Sequence, residues 1–355
     1  MTALTAEAPA GAPDDDHLHL KGNQLPPYAL PLVAVGAVGV ALLLFFLTSI
    51  QGKIQTGLIA LLLYTAGQTV ASTLVEGRRR AVDRFVRTLI IGALLLALVP
   101  LVAILVQVII KGAGRLDGGF IQHSMAGIGA RDHGGGAYAA IIGTLEQIAL
   151  ASLISVPFGV LVSVYLVEYG RRNRLSRTIS FFVDVLTGLP SIVAGLFIFA
   201  FWILLLHQHQ TGFAGSLALV ILMIPTVVRS TEEMLKLVPH ELREASFALG
   251  VERWRTIMKV VIPTALPGIV TGVMLAISRV AGETAPLLLT VFGNDYINTN
   301  PFDGHQSALP IYIFSEATKP QAWTTDRAWA AALTLIILIM LLNLIARLVS
   351  RRAKV

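Results

Sequence analysis

The sequence predicts an all-α polytopic membrane protein with about eight spans. Two observations support this prediction, the composition and the length of the apolar runs. Hydrophobic residues make up 55% of the 355 residues and charged residues only 14%, and the mean hydropathy is +0.74. The apolar runs reach about 20 residues, which is the length that an α-helix needs to cross the hydrocarbon core of a bilayer. This composition lies far from that of an average soluble domain.

The apolar runs give the order of the elements along the chain. We expect spans at residues 28–50, 54–75, 85–110, 138–167, 179–206, 216–237, 264–290 and 328–348. Several are longer than the minimum crossing length, which indicates tilt or ends that emerge into water. Prolines inside the runs, at Pro157, Pro190, Pro225 and Pro286, indicate interruptions of a kind that membrane helices tolerate beside other helices or cavities.

These elements predict five segments along the chain. They are a disordered tail at 1–27, a two-helix hairpin at 28–76, a third span and outer loop at 77–137, a helical core at 138–348 and a short tail at 349–355. The first tail carries acidic residues and prolines but no apolar stretch typical of a signal peptide. The long loops at 111–137 and 291–327 are either solvated connectors or contact surfaces for a partner.

The basic residues predict the orientation in a cell membrane. With the N-terminus inside, 19 lysines and arginines fall in cytoplasmic segments and 6 in outer segments, as the positive-inside rule requires. Both termini are therefore expected in the cytoplasm. The net charge of +6 then reflects topology rather than binding to nucleic acid.

Several kinds of chemistry are excluded by the residues that the sequence lacks. There is no cysteine, so disulfides and thiolate metal sites are impossible. No G-x-x-x-x-G-K-[ST] stretch is present, so the chain has no phosphate-binding loop of its own for ATP. The histidine pairs His17/His19 and His207/His209 are weak evidence for a metal site. We expect no metal, no cofactor and no enzyme active site.

The segment 239–263 is a charged, amphipathic insert between two spans, and the orientation places it in the cytoplasm. Its pattern contains Glu244, Ala245 and Ser246, then Gly250, and ends near Pro263. A glycine readily takes the left-handed conformation that ends one helix and redirects the chain. The sequence therefore predicts two helical pieces joined at Gly250.

The same segment has features of a docking surface for another protein. Ala245, Ala248 and Leu249 would form a face that another protein can approach closely, and Arg243 and Glu244 would place charges at its rim. The alternative is an ordinary helical loop.

Two arginines and a glutamate fall within predicted spans, where each charge costs about 2.5–3.5 kcal/mol. Arg279 and Glu283 are four residues apart and can meet on one helix face. They either neutralise each other or face a polar pathway together with Thr284. Arg229 either lines the same pathway or extends its side chain to the cytoplasmic interface. A guanidinium group suits a tetrahedral oxyanion.

Gly268 and Gly272 form a G-x-x-x-G pair in the same predicted span as Arg279. Small residues at this spacing let two helices approach closely. The partner helix is either in a second subunit or elsewhere in this chain, and the sequence leaves both open.

The segment at 239–263 is similar to the EAA loop of ABC-transporter permeases, whose third position is usually alanine and is Ser246 here. Further stretches resemble the PstA-type permeases of phosphate-specific ABC importers. These are TGLPSIVAGLF at 187–197, the run 225–263, and ALPGIVTGV with SRVAGETAPLL within 265–288. The resemblance extends over about residues 138–347 and does not include the first two spans.

The resemblance implies a type I ABC importer transmembrane domain with a coupling helix pair at Glu244, Ala245, Ser246 and Gly250. It implies a PstB-type ATPase, a PstC-type sister permease and a PstS-type phosphate-binding protein as partners. Arg229 and Arg279 match the functional arginine pair of the family. The expected function is import of inorganic phosphate by alternating access. Sulfate, molybdate or a similar oxyanion, or a membrane scaffold that relays phosphate status, are the alternatives.

Overall fold

The computed structural model describes residues 25–47, 52–129, 131–170 and 173–352. In these residues the chain is helical, with one isolated β-bridge between Phe292 and Gln306. The chain forms two compact units, residues 1–104 and 105–355. Most of the predicted N-terminal tail, with His17 and His19, lies outside the described residues.

Thirteen helices account for most of the described part of the chain, with π-helical turns included in the helices that they continue. They are α1 Ala29–Leu47, α2 Lys53–Glu76, α3 Arg78–Ala113, α4 Gly118–Gln122, α5 Tyr138–Tyr169, α6 Arg174–Thr187, α7 Ser191–Leu205, α8 Gly212–Lys236, α9 His240–Ala248, α10 Arg253–Ala281, α11 Ala285–Thr290, α12 Leu309–Ala317 and α13 Ala322–Arg352.

The prediction of an all-α polytopic membrane protein is confirmed. Seven helices in the described part are long and apolar enough to cross a membrane, namely α1, α2, α3, α5, α8, α10 and α13. The pair α6 and α7 brings the number to eight if together they form one span. The predicted count of about eight spans agrees with this range.

In the first unit, α1 and α2 form a hairpin, and α2 is bonded to the beginning of α3. Gly67 gives Val33 room to approach, because a Cβ at Gly67 would lie 2.9 Å from a methyl of Val33. The side chain of Glu76 is 1% exposed and accepts bonds from Arg84 at 2.7 Å and from the Ser72 hydroxyl at 2.7 Å. A buried carboxylate is stable only with such partners.

In the second unit, α8 is the central helix of the core. Gly159 of α5 faces Val227, and the Ser163 hydroxyl donates to the Val228 carbonyl at 2.9 Å. These contacts hold α5 against α8 over more than one turn. On another side of α8 lies α10.

The G-x-x-x-G pair packs within the chain. A side chain at Gly268 would meet Met234 of α8, and one at Gly272 would meet Ser230. The two glycines therefore let α10 approach α8 closely, with the two helices running in opposite directions. The contact partner that the sequence left open is α8 of this same chain.

The predicted span at 179–206 is interrupted in the structure. Helix α6 ends at Thr187, α7 begins at Ser191, and their axes differ by 106°. Pro190 precedes α7, and its fixed φ of −57° and missing N–H suit the start of a helix rather than its interior. The predicted interruption at Pro190 is therefore present, as a sharp bend between two helices.

The predicted span at 264–290 is also interrupted. Helix α10 ends at Ala281, and the short helix α11 begins at Ala285 with Pro286 in its first turn. In contrast, Pro157 and Pro225 lie inside the continuous helices α5 and α8. Neighbouring residues therefore decide whether a proline ends a membrane helix or is accommodated in it.

The segment 291–327, predicted as a long polar loop, is more ordered than expected. It contains α12, and α13 begins at Ala322 rather than at residue 328. Arg327 and Glu316 form an ion pair at 2.7 Å with both side chains 2% exposed. Burial raises the pKa of the neighbouring Tyr312 phenol. The predicted C-terminal tail begins as helix up to Arg352.

Candidate functional site

Arg229 lies on α8 and is held by two carboxylates. Its Nη1 donates to Oε2 of Glu232 on the same helix at 2.6 Å, and its Nη2 donates to Oδ1 of Asp184 on α6. The same Nη2 also donates to the Ser180 carbonyl at 3.2 Å. Arg229 therefore joins α6 to α8, and the sequence analysis did not predict either of its acidic partners.

The charges around Arg229 balance one another. Glu232 accepts a second ion pair from Lys236 at 2.7 Å, so the cluster contains two acidic and two basic side chains. The side chain of Glu232 is 10% exposed, whereas that of Asp184 is 66% exposed. Of the two carboxylates on Arg229, Asp184 is the one that faces open space.

Arg279 and Glu283 do not form the predicted pair on one helix face. Because α10 ends at Ala281, Glu283 lies after the helix, with its N–H donating to the Val280 carbonyl at 3.1 Å. Among the described residues, neither side chain has an ion pair or a hydrogen bond. Arg279 is exposed and Glu283 is half-buried. Their mutual neutralisation, one of the two readings of the sequence, is not observed.

The two arginines lie at different depths along the helices. Ser230, next to Arg229, contacts α10 at Gly272. Arg279 lies seven residues further along α10, which corresponds to about 10 Å of helix. Thr284 flanks the start of α11, beyond Arg279 and Glu283. Three of the four predicted pathway residues, Arg279, Glu283 and Thr284, therefore lie around the break between α10 and α11, and Arg229 lies apart from them on α8.

The predicted turn between two helical pieces is present at Gly250. Its φ is +75°, and its N–H donates to the Phe247 carbonyl at 2.9 Å. Helix α9 precedes this turn, and α10 begins after it and continues directly into a membrane span. The second piece is therefore the first part of a long helix rather than a separate short one.

Glu244 and Ala245 are exposed on α9, but Ser246 is buried. The Ser246 hydroxyl bonds to the Thr256 hydroxyl of α10 at 2.8 Å. Arg243, expected at the rim, is also buried, and its guanidinium pairs with Glu168 of α5 at 2.9 Å. Two residues of this predicted docking surface therefore fasten α9 to its neighbours instead.

The surface that α9 and its turn leave open is largely apolar. Leu249 is 83% exposed, and the exposed residues around it are Leu242, Phe247, Ala248, Trp254 and Met258. Exposed apolar patches of this kind are typical of contact sites for other proteins. We call these residues, together with Glu244 and Ala245, the α9 surface.

Asp184, Glu232 and Glu168 are the acidic partners that the sequence analysis missed. Asp184 and Glu232 lie inside predicted spans, and Glu168 lies one residue beyond another. An acidic residue in an apolar run is itself a signal of a buried partner.

His209 lies beside Asp303 and His305, but the described residues contain no group of three side chains able to hold a metal ion.

Comparison with known proteins gives a matching family model and relatives that agree with one another. The family model described as "Binding-protein-dependent transport system inner membrane component" matches residues 155–355. The phosphate transport system permease protein PstA 1 of Mycobacterium tuberculosis (strain CDC 1551 / Oshkosh) is 48% identical over 273 residues, 77% of this chain and 90% of the relative. PstA of Yersinia pestis is 37% identical over 289 residues, 80% of this chain and 97% of the relative.

Among solved structures, an inward facing MetNI methionine ABC transporter matches part of this chain. It is 21% identical with a TM-score of 0.48, covering 61% of this chain and 94% of that chain. The family model covers more than half of the present chain, and both PstA relatives match over most of their own length. The chain therefore belongs to the binding-protein-dependent transport system inner membrane component family and, within it, to the PstA-type permeases.

Proposed function

We propose that this chain is the transmembrane permease subunit of an ABC importer that moves inorganic phosphate into the cytoplasm. Family membership supports a permease in an ABC system with an ATPase and a substrate-binding partner. The names of the relatives support phosphate as the transported anion. ATP is hydrolysed on a separate subunit, and this chain is non-catalytic.

The exposed guanidinium of Arg279 carries the proposal. It lies in a span and has no counter-ion among the described side chains. Arg279 lies in the last turn of α10, and a charge inside a span costs up to about 2.5–3.5 kcal/mol at the helix centre, so we assign to it a partner that binds there. The planar guanidinium donates two parallel hydrogen bonds to a phosphate group. Arg279 is therefore assigned to the phosphate path.

Glu283 and Thr284 complete this part of the path. At neutral pH phosphate carries at least one O–H group, whereas sulfate carries none. A carboxylate accepts a hydrogen bond from such a group but repels an anion that has no proton to donate. The carboxylate of Glu283 has no hydrogen bond or ion pair among the described residues, so it is available for this contact. Its presence beside Arg279 favours phosphate over sulfate.

Arg229 lies further along the same route, about 10 Å from Arg279 in helix length. Its bond to the exposed carboxylate of Asp184 is the one that an anion in the path would replace. A phosphate ion would then contact Arg279 and Arg229 in succession as the permease alternates between its two open states.

The α9 surface is the proposed contact for the ATPase. It combines exposed apolar side chains with the charge of Glu244, and its position at the ends of α8 and α10 joins it to the spans that carry Arg229 and Arg279. A PstB-type ATPase is the proposed partner here. A PstC-type sister permease and a PstS-type phosphate-binding protein would complete the importer.

Uptake by the purified complex tests the transported anion. Proteoliposomes with the full complex are expected to accumulate labelled phosphate in the presence of ATP. A hundredfold excess of unlabelled phosphate should abolish the signal, and the same excess of sulfate should leave most of it. Equal competition by sulfate would show that the path selects oxyanions in general. ATP-dependent uptake of sulfate without phosphate would overturn the proposal.

The orientation of the chain has a direct test, because the protein has no cysteine of its own. We place both termini and the α9 surface in the cytoplasm. The variant Leu249→Cys is expected to react with a membrane-impermeant maleimide only after the cells are permeabilised, when the chain is expressed without the ATPase. Ser246 is a poor labelling position because it is buried.

Tyr296→Cys is the matched control for this labelling experiment. Tyr296 is 67% exposed in the segment between α11 and α12, on the opposite side of the proposed topology. It should react in intact cells. Labelling of Leu249→Cys in intact cells, with protection at position 296, would reverse the orientation and remove the ATPase contact.

A further inference from the structure

The end of α5 and the beginning of α9 are joined by a buried ion pair. Nη2 and Nε of Arg243 donate to Oε1 of Glu168 at 2.9 and 3.1 Å. The two side chains are 7% and 5% exposed. The residues are 75 positions apart, so the bond connects two distant parts of the chain.

The same guanidinium closes the end of α8. Nη2 donates to the Leu235 carbonyl at 2.9 Å, and Nη1 donates to the Val238 carbonyl at 2.5 Å. The last carbonyls of a helix have no partner within the helix, and here Arg243 supplies one. Arg243 therefore ties α5, α8 and α9 together at one point.

The beginning of α10 joins this cluster through two further contacts. Arg253 donates to the backbone carbonyl of Glu168, and its guanidinium lies 5.0 Å from the centre of the Tyr169 ring. The hydroxyls of Ser246 and Thr256 bond at 2.8 Å. The beginning of α10 is thus joined by polar contacts to both α5 and α9.

Glu168 also has a route towards Arg229. It lies in the π-helical last turn of α5, and Ser163 lies in the turn before. The Ser163 hydroxyl donates to the carbonyl of Val228, which is the residue next to Arg229. A displacement of α9 that pulls on Glu168 therefore acts on α5 and, through α5, on the segment of α8 that carries Arg229.

We infer that Glu168 is a positioning residue that transmits movement of α9 to the phosphate path. The inference rests on the proposed function, because it assigns to Glu168 the connection between the ATPase contact and the pathway arginines. Without the carboxylate, α9 would still bind the ATPase through its exposed surface. The movement would reach α5 less completely, so ATP would be hydrolysed with less phosphate moved.

The variant Glu168→Gln tests this in proteoliposomes that contain the full complex, with ATP hydrolysis and phosphate uptake measured in the same sample. Glutamine keeps the size of the side chain and one acceptor oxygen but removes the charge. We expect the complex to assemble and the phosphate moved per ATP to fall about fivefold or more, a typical size for coupling between sites. Glu168→Asp, which keeps the carboxylate, should restore part of the phosphate moved per ATP.

Glu241→Gln is the matched control, because Glu241 is an exposed acidic residue in the first turn of α9. The phosphate moved per ATP by the Glu241→Gln complex should equal that of the unmodified complex. If Glu168→Gln lowers uptake and hydrolysis in proportion, the ion pair is only structural and the inference is overturned. If Glu168→Gln does not accumulate, Arg243→Lys gives the same decision. Lysine keeps the charge, but its donors leave from a single nitrogen and do not reproduce the spread of Nε, Nη1 and Nη2 over the carboxylate and both carbonyls.

The unmodified complex separates the two proposals. If it hydrolyses ATP but moves no phosphate, the proposed function fails. If it moves phosphate and Glu168→Gln keeps a normal ratio, the proposed function stands and only the role of Glu168 is rejected.

Discussion

Replacing Arg279 by glutamine is expected to reduce phosphate uptake by about 10- to 150-fold while the complex still assembles. Hydrogen bonds from a charged donor contribute about 1.5–3 kcal/mol, and each 1.4 kcal/mol corresponds to a factor of ten. Arg279 has no partner among the described side chains, so its loss leaves no buried group unpaired. The effect should therefore fall on transport rather than on folding. Initial rates of labelled phosphate uptake measure it.

Arg347→Gln is the control for this replacement. Arg347 is an exposed arginine near the end of α13 and has no assigned role in the path. Uptake by this variant should match that of the unmodified complex, at equal amounts of protein in the membrane. Normal uptake by Arg279→Gln would remove Arg279 from the path, and the assignment of Glu283 and Thr284 would fall with it.

Arg229→Gln is also expected to reduce uptake, but for a mixed reason. Removal of Arg229 leaves Asp184 without its cation and leaves the largely buried Glu232 with Lys236 alone. Breaking a fully buried charge pair destabilises a protein by about 3–5 kcal/mol. Because Arg229 is 30% exposed and Glu232 keeps Lys236, we expect a smaller loss of stability, seen as a lower amount of the chain in the membrane. The comparison with Arg279→Gln separates the effect on the anion from the effect on packing.

The fold followed from the sequence wherever the signal was local. Long apolar runs gave the spans because hydropathy over about 20 residues is a strong signal. Gly250 gave the turn after α9 because a single residue there needs a positive φ. Pro190 and Pro286 indicated the breaks between α6 and α7 and between α10 and α11, but the helix ends at Thr187 and Ala281 were not predicted, because a proline marks an interruption without fixing where the preceding helix ends.

The partners of the charged residues could not be read from the sequence. Arg229 and Asp184 are 45 positions apart, and Arg243 and Glu168 are 75 positions apart. Only the packing of α5 and α6 around α8 brings these groups together. For the same reason the sequence placed Arg243 at a rim, since nothing near it in the chain indicates that Glu168 covers it.

Replacing Gly250 by proline is expected to reduce phosphate uptake to background while the chain still enters the membrane. Proline fixes φ near −65°, whereas Gly250 has a φ of +75°, and proline also removes the N–H that bonds to the Phe247 carbonyl. The turn between α9 and α10 must then rebuild, which moves the α9 surface relative to α10. Membrane insertion depends on the apolar runs of α8 and α10, which the change leaves intact. Uptake and the amount of bound ATPase are measured in the same membranes.

Gly250→Asn separates the conformation of the turn from the mere presence of a side chain. Asparagine adopts a positive φ more readily than most residues, and a Cβ at Gly250 would meet no atom within 4 Å. This variant should therefore keep most of the uptake. A left-handed turn at this position requires phosphate uptake to decrease in the order unmodified complex, Gly250→Asn, Gly250→Pro. If Gly250→Pro transported phosphate normally, the geometry of this turn would be irrelevant to the ATPase contact, and the α9 surface would lose its assigned role.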